Sequence, residues 1–136
     1  MNRIRSYVVS AVVMLALDLL WLGVLAPPLY QRTIGPLLRP QPDLLAAALF
    51  YVIYLVGVNE LVIRACRPGA PRAAAARGAF FGFVAYATFD LTAQAVLRDW
   101  SWLATAVDMA WGTLLTATVA AAGSAAAGRW RMRGES

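Results

Sequence analysis

The sequence contains no histidine and no lysine, a single cysteine, and few charges of either sign. Each scarcity removes a class of function. Without histidine the chain lacks the usual haem ligand, the usual zinc and non-haem iron ligand, and the usual general base near neutral pH. With Cys66 alone, no intramolecular disulfide can form; its plain reading is a small residue at a helix end. Charged residues make up 14% of the chain, against about 25% in soluble domains. Hydrophobic residues make up 61%, and a soluble fold of this size has no interior large enough to hide them, so lipid must solvate most of them. The net charge of +5 is carried entirely by arginine. The arginines stand at the ends of apolar runs, where they flank membrane spans rather than form a nucleic-acid surface. No nucleic-acid partner is expected.

What is present is a set of four apolar runs. A hydrocarbon core about 30 Å thick requires about 20 helical residues, and the runs at about 7–26, 44–63, 75–97 and 102–123 each suffice. The expected fold is all-α: a four-helix transmembrane bundle forming one integral membrane domain over residues 1–136, with a basic tail at 129–136. The basic start and apolar first run also fit a signal peptide. The run is too long for one, contains Asp18, and is followed by Pro27 and Pro28, so it reads as a retained span. The two prolines are expected to end that helix. After them Leu29, Tyr30, Ile34, Leu37 and Leu38 recur at helical spacing, which predicts a short amphipathic interfacial segment between helices 1 and 2. Arginines concentrate in the amino end, the second connector and the tail. The positive-inside rule therefore predicts both termini in the cytoplasm and Trp100 and Trp102 at the outer interface.

Three aspartates interrupt these runs: Asp18, Asp90 and Asp108. Each costs about 2.5–3.5 kcal/mol to insert at mid-membrane, and such residues face a bundle interior or a water cavity. Counted from the expected span ends, all three fall about 10–12 Å below the outer surface. No arginine lies within a span to neutralise them. Three arrangements are open: protonated and hydrogen-bonded acids, a bound cation, or a loop arginine (Arg32, Arg39 or Arg98) folded inward. Polar glue between helices is the plain alternative to a functional site, with Thr105, Gln94 and Tyr86 as hydrogen-bonding partners. Glu60 is different, since Arg64 at i+4 can pair with it.

Small residues repeat every fourth position in span four: Ala104, Gly112, Thr116, Ala120, Ser124 and Gly128, interrupted by Asp108. Span three at the same spacing gives Gly78, Gly82, Tyr86, Asp90 and Gln94. Such stripes let helix backbones approach closely in lipid. The two are expected to pack together at one end and open at the other into a polar pocket lined by Asp90, Gln94 and Asp108, with Asp18 entering from span one. Trp21 and Trp111 lie one turn from Asp18 and Asp108 and could stack on a ligand or cation.

The motifs LDLLWLG around Asp18, FDLT around Asp90 and VDMAWGT around Asp108 resemble the DUF2177 family of small bacterial membrane proteins. The resemblance runs from about Ser6 to Thr118. It implies a four-span protein of the bacterial inner membrane and implies no activity. The small multidrug resistance transporters offer a looser analogy of architecture, with four spans and an acid in the first.

Three functions follow for testing. The first is an outward-facing acidic pocket that binds or transports a small cation, a proton or an amphiphile, with Asp18, Asp90, Asp108, Gln94, Trp21, Trp111, Thr105 and Tyr86 as candidates. A single four-helix bundle is thin for a substrate path, so transport would require a homodimer. The second is an accessory subunit whose polar face meets a membrane partner. The third is a lipid-modifying enzyme using Asp90 and Asp108 as an acid–base pair. No cofactor and no metal is expected, and no catalytic residue is assigned.

Overall fold

The computed structural model describes the backbone of residues 3–134 and the side chains of residues 3–128. All regular structure among them is helical: α1 (Arg3–Leu20), a π-helical stretch (Trp21–Leu25), α2 (Ala26–Ile34), a 3₁₀ turn (Gly35–Leu37), α3 (Leu44–Gly57), a second π-helical stretch (Val58–Ile63), α4 (Pro71–Val96) and α5 (Trp102–Gly134). Four helical stretches are long and apolar enough to cross a membrane: Arg3–Leu37, Leu44–Ile63, Pro71–Val96 and Trp102–Gly128.

Local chemistry sets the starts. The Asp43 carboxylate accepts from the Ala46 amide at 3.1 Å, capping α3. Pro71 occupies the first turn of α4, where a missing N–H costs nothing. Ser101 Oγ accepts from the Ala104 amide at 3.3 Å at the head of α5. The basic tail expected from Arg129 begins inside α5, whose backbone stays helical to Gly134; its side chains and last two residues lie outside the described residues.

Pro27 and Pro28 do not end the first helix. The π-helical stretch widens the turn just before them, with the Ala26 amide donating to the Trp21 carbonyl, and the prolines fall at the start of α2. A proline inside an α-helix removes an i→i−4 bond and clashes with the carbonyl four residues back. A π turn shifts the ladder by one residue and relieves both at the register change. The amphipathic segment is therefore present as α2, continuous with span one rather than separated from it.

Ser6 bonds to Asn59, and Gly123 packs against Ile63, Ser6 and Ser10. The start of α1, the end of span two and the far end of α5 thus share one end of the bundle, and the Trp100 turn lies at the other. The α4–α5 interface is the most extensive, and the small-residue stripes make it. A Cβ on Gly78 would stand 2.8 Å from both the Ala120 Cβ and the Thr116 carbonyl oxygen. One on Gly82 would strike the Gly112 carbonyl and the Thr116 side chain. Gly69 turns the second connector with φ +76°, and its amide donates to the Ser124 carbonyl at 3.3 Å, where Gly128 leaves room for it. By contrast α3 approaches neither α4 nor α5 by its backbone, touching α5 mainly through the buried Tyr54, whose hydroxyl lies 2.6 Å from Thr116 Oγ1.

Candidate functional site: a carboxyl pair walled by tyrosines and tryptophans

Asp108 projects from α5 and Asp90 from α4, the two most closely packed helices, and the two carboxyls line one cavity. Asp90 is fully buried, at 0% exposure, and neither of its oxygens accepts a hydrogen bond from a donor among the described residues. Asp108 is held from the opposite direction. The Tyr30 hydroxyl donates to its Oδ1 at 2.7 Å, and the Trp21 indole N–H donates to that hydroxyl at 3.3 Å. Tyr30 reaches Asp108 because α2 continues span one past the prolines and packs on α5.

A cavity of about 350 Å³ opens on the pair. Beyond Asp90, Asp108 and Tyr30, its walls are Leu22, Ile34, Leu37, Leu38, Phe89, Trp100 and Ala104. A second cavity of about 350 Å³ reaches Asp108 from the α3 side, between Phe50, Tyr54, Ala85, Tyr86 and Phe89. Phe89 and Asp108 belong to both.

Asp18 does not join the pair. It is 7% exposed and lies beside Tyr51 and Trp111, whose buried indole N–H has no hydrogen-bond partner among the described residues. Trp111 stacks on Trp21 with ring centroids 4.5 Å apart and planes 7° apart. Since α1 and α5 are antiparallel, Asp18 lies one turn beyond this stack on one side and Asp108 one turn beyond it on the other. Their backbones are separated by about 9 Å along the axis at 1.5 Å per residue. The three aspartates therefore do not share the common level expected of them, since the Trp21–Trp111 stack lies between Asp18 and Asp108. Among the described residues no three acidic or thiol side chains gather as a metal site.

The other candidates divide. Tyr86 packs its ring over Gly112 and lines the α3-side cavity. Gln94 and Thr105 are spent on the α4–α5 turn: Thr105 Oγ1 donates to Gln94 Oε1 at 2.9 Å, Gln94 Nε2 donates to the Trp100 carbonyl at 3.0 Å, and Trp100 Nε1 donates to Thr105 Oγ1 at 3.0 Å. Neither lines the cavity at Asp90 and Asp108. Among the described residues, Arg39 pairs with Asp43 at 3.7 Å and Arg64 with Glu60 at 2.8 Å, so neither cation meets the buried aspartates.

Sequence reasoning missed Tyr30, Tyr51, Phe89 and Trp100. Tyr30 carried a signal only if the helix continued through the prolines. It also missed a polar cluster at the other end of the bundle. Asn59 accepts from Ser6 Oγ at 2.8 Å and donates to Ser10 Oγ at 3.0 Å, all three side chains being buried.

The family described as Predicted membrane protein (DUF2177) matches residues 3–125, and the chain belongs to it. No curated protein and no solved structure matches the chain.

Proposed function

We propose that this member of the DUF2177 family binds a small organic cation or cationic amphiphile at Asp90 and Asp108. It does so in the bacterial inner membrane, with both termini cytoplasmic and the site in the outer half. The observation that carries the reading is the buried Asp90 carboxyl, with no donor and no arginine partner among the described residues, lining one cavity with a second carboxyl. Charge so placed has to be neutralised by a proton or by a cation. A single proton shared between the two carboxyls would serve as interhelical glue; the cavity that opens on them is what favours a ligand.

The walls favour an organic cation. An inorganic ion such as Ca²⁺ seeks about six to eight oxygen ligands, whereas this cavity offers one carboxyl pair and one hydroxyl among aliphatic and aromatic surfaces. A volume of about 350 Å³ falls at the small end of ligand sites. Trp100 and Tyr30 supply ring faces for an ammonium or phosphonium group. The orientation follows the arginines, with Arg3, Arg64, Arg67, Arg72 and Arg77 all at the end away from the carboxyl pair.

Equilibrium binding of radiolabelled tetraphenylphosphonium to the purified protein tests this. Saturable binding in wild type, lost in both Asp90→Asn and Asp108→Asn, supports the reading. Binding that is absent in wild type, or unchanged in both variants, removes it.

A further inference from the structure

We propose that a groove between the end of span two and the first half of α4 binds one anionic phospholipid, with its phosphate on Arg77 and an acyl chain along Phe80, Phe81 and Val84. The groove holds about 580 Å³, shares no lining residue with the cavity at Asp90 and Asp108, and shares only Ala85 with the one that reaches Asp108 from the α3 side. Its α4 wall is Ala76, Arg77, Phe80, Phe81, Val84 and Ala85, positions three and four apart that fall on one helix face. Leu61 and Val62, from the π-helical end of span two, close the other side. Every lining side chain except Arg77 is apolar.

Charge and depth identify the occupant. Arg77 lies six residues inside α4 and is exposed, and among the described residues it forms no ion pair with an acidic side chain. At about 1.5 Å per residue it starts about 9 Å from the helix end, and its long side chain carries the guanidinium back toward the headgroups. Val84 and Ala85 lie about 12 Å farther toward the membrane centre. A cation at the headgroup end of an apolar trough matches a molecule with an anionic head and a hydrocarbon tail. Guanidinium suits phosphate because its planar donors can bind two oxygens at once. A packed apolar helix would fill the trough and leave Arg77 without an anion. A zwitterionic lipid would bring its own cation to an arginine. Phe80 at 71% exposure and Leu61 at 63% supply open apolar surface for the chain.

The test is native mass spectrometry of the full chain released from a neutral maltoside detergent, with dioleoyl phosphatidylglycerol and dioleoyl phosphatidylcholine in competition. One phosphatidylglycerol is expected to be retained in preference to phosphatidylcholine. Arg77→Gln should weaken that retention about tenfold, as loss of a charged hydrogen-bonding partner does. Arg72→Gln, exposed on the same helix but outside the groove, should retain the lipid as wild type does. Val84→Trp fills the trough without touching the charge and should also lower retention, so the proposal stays testable if Arg77→Gln folds poorly. Equal retention of the two lipids overturns it, as does unaltered retention in both Arg77→Gln and Val84→Trp. Competition by glycerol 3-phosphate at the concentration effective for the lipid would reduce the site to an anion contact and overturn it as well.

Discussion

Tyr30 and Asp108 are separated by 78 residues of chain and joined by one hydrogen bond of 2.7 Å. That bond exists because a π-helical stretch carries the first helix through two prolines. It ties α2 to α5 beside the carboxyl pair, and Trp21 extends it as donor to Tyr30. Removing the hydroxyl while keeping the ring isolates its contribution. Tyr30→Phe leaves the Asp108 oxygen without a donor and is expected to cost about 1–3 kcal/mol. Reversible unfolding in a mixed detergent, followed by circular dichroism, measures it; a variant as stable as wild type would show that the bond contributes nothing.

The glycines of the α4–α5 interface should be intolerant in proportion to what a methyl group meets. Gly82→Ala drives a Cβ into the Gly112 carbonyl and Thr116, and overpacking of this kind costs about 1–3 kcal/mol. Gly23, in the first π-helical stretch, has nothing within 4 Å of a built Cβ. Gly23→Ala should be neutral, or stabilising by up to about 1 kcal/mol through backbone entropy. Comparative thermal unfolding of the two variants settles the order, and equal effects would contradict the packing described.

The polar cluster at the terminal end makes a separate prediction. Asn59 also donates to the Leu55 carbonyl at 2.9 Å, so its side chain serves three partners from span two. Asn59→Ala strands Ser6 against the packed Gly123 and is expected to destabilise by about 1–3 kcal/mol, with no effect on cation binding at the carboxyl pair, toward the opposite end of the bundle. Thermal unfolding and tetraphenylphosphonium binding on the same preparation read the two quantities apart.

Much of this architecture was legible. The every-fourth-residue stripes through Gly78, Gly82, Gly112 and Ala120 predict the α4–α5 packing, because in lipid close approach depends on small side chains and the pattern is local to each helix. The pairing of Glu60 with Arg64 is legible for the same reason, both lying on one helix four residues apart. Tyr30 was not, since Pro27 and Pro28 read as a stop and nothing local signals a π-helical register shift. Nor was the offset of Asp18 from Asp108 legible, since it rests on the Trp21–Trp111 stack that lies between them, a contact between separate helices. Asn59, Ser6 and Ser10 stand on separate helices, and single polar residues carry no periodicity that would pair them.

A site kept for a ligand should be stabilised by surrendering it. Asp90 is buried without a donor, and an aspartate at the bilayer centre costs about 2.5–3.5 kcal/mol. Asp90→Asn removes the charge at nearly constant volume, so the variant should be at least as stable as wild type while losing function, the trade expected at binding sites.

Thermal unfolding of wild type and Asp90→Asn, each with and without tetraphenylphosphonium, tests the binding claim most directly. Wild type should unfold at a higher temperature as the cation is added, in the manner of any ligand that binds only the folded state. Asp90→Asn should start at least as high and fail to respond. A wild-type midpoint indifferent to the cation, or an Asp90→Asn midpoint that rises with it as steeply as wild type, would contradict the account.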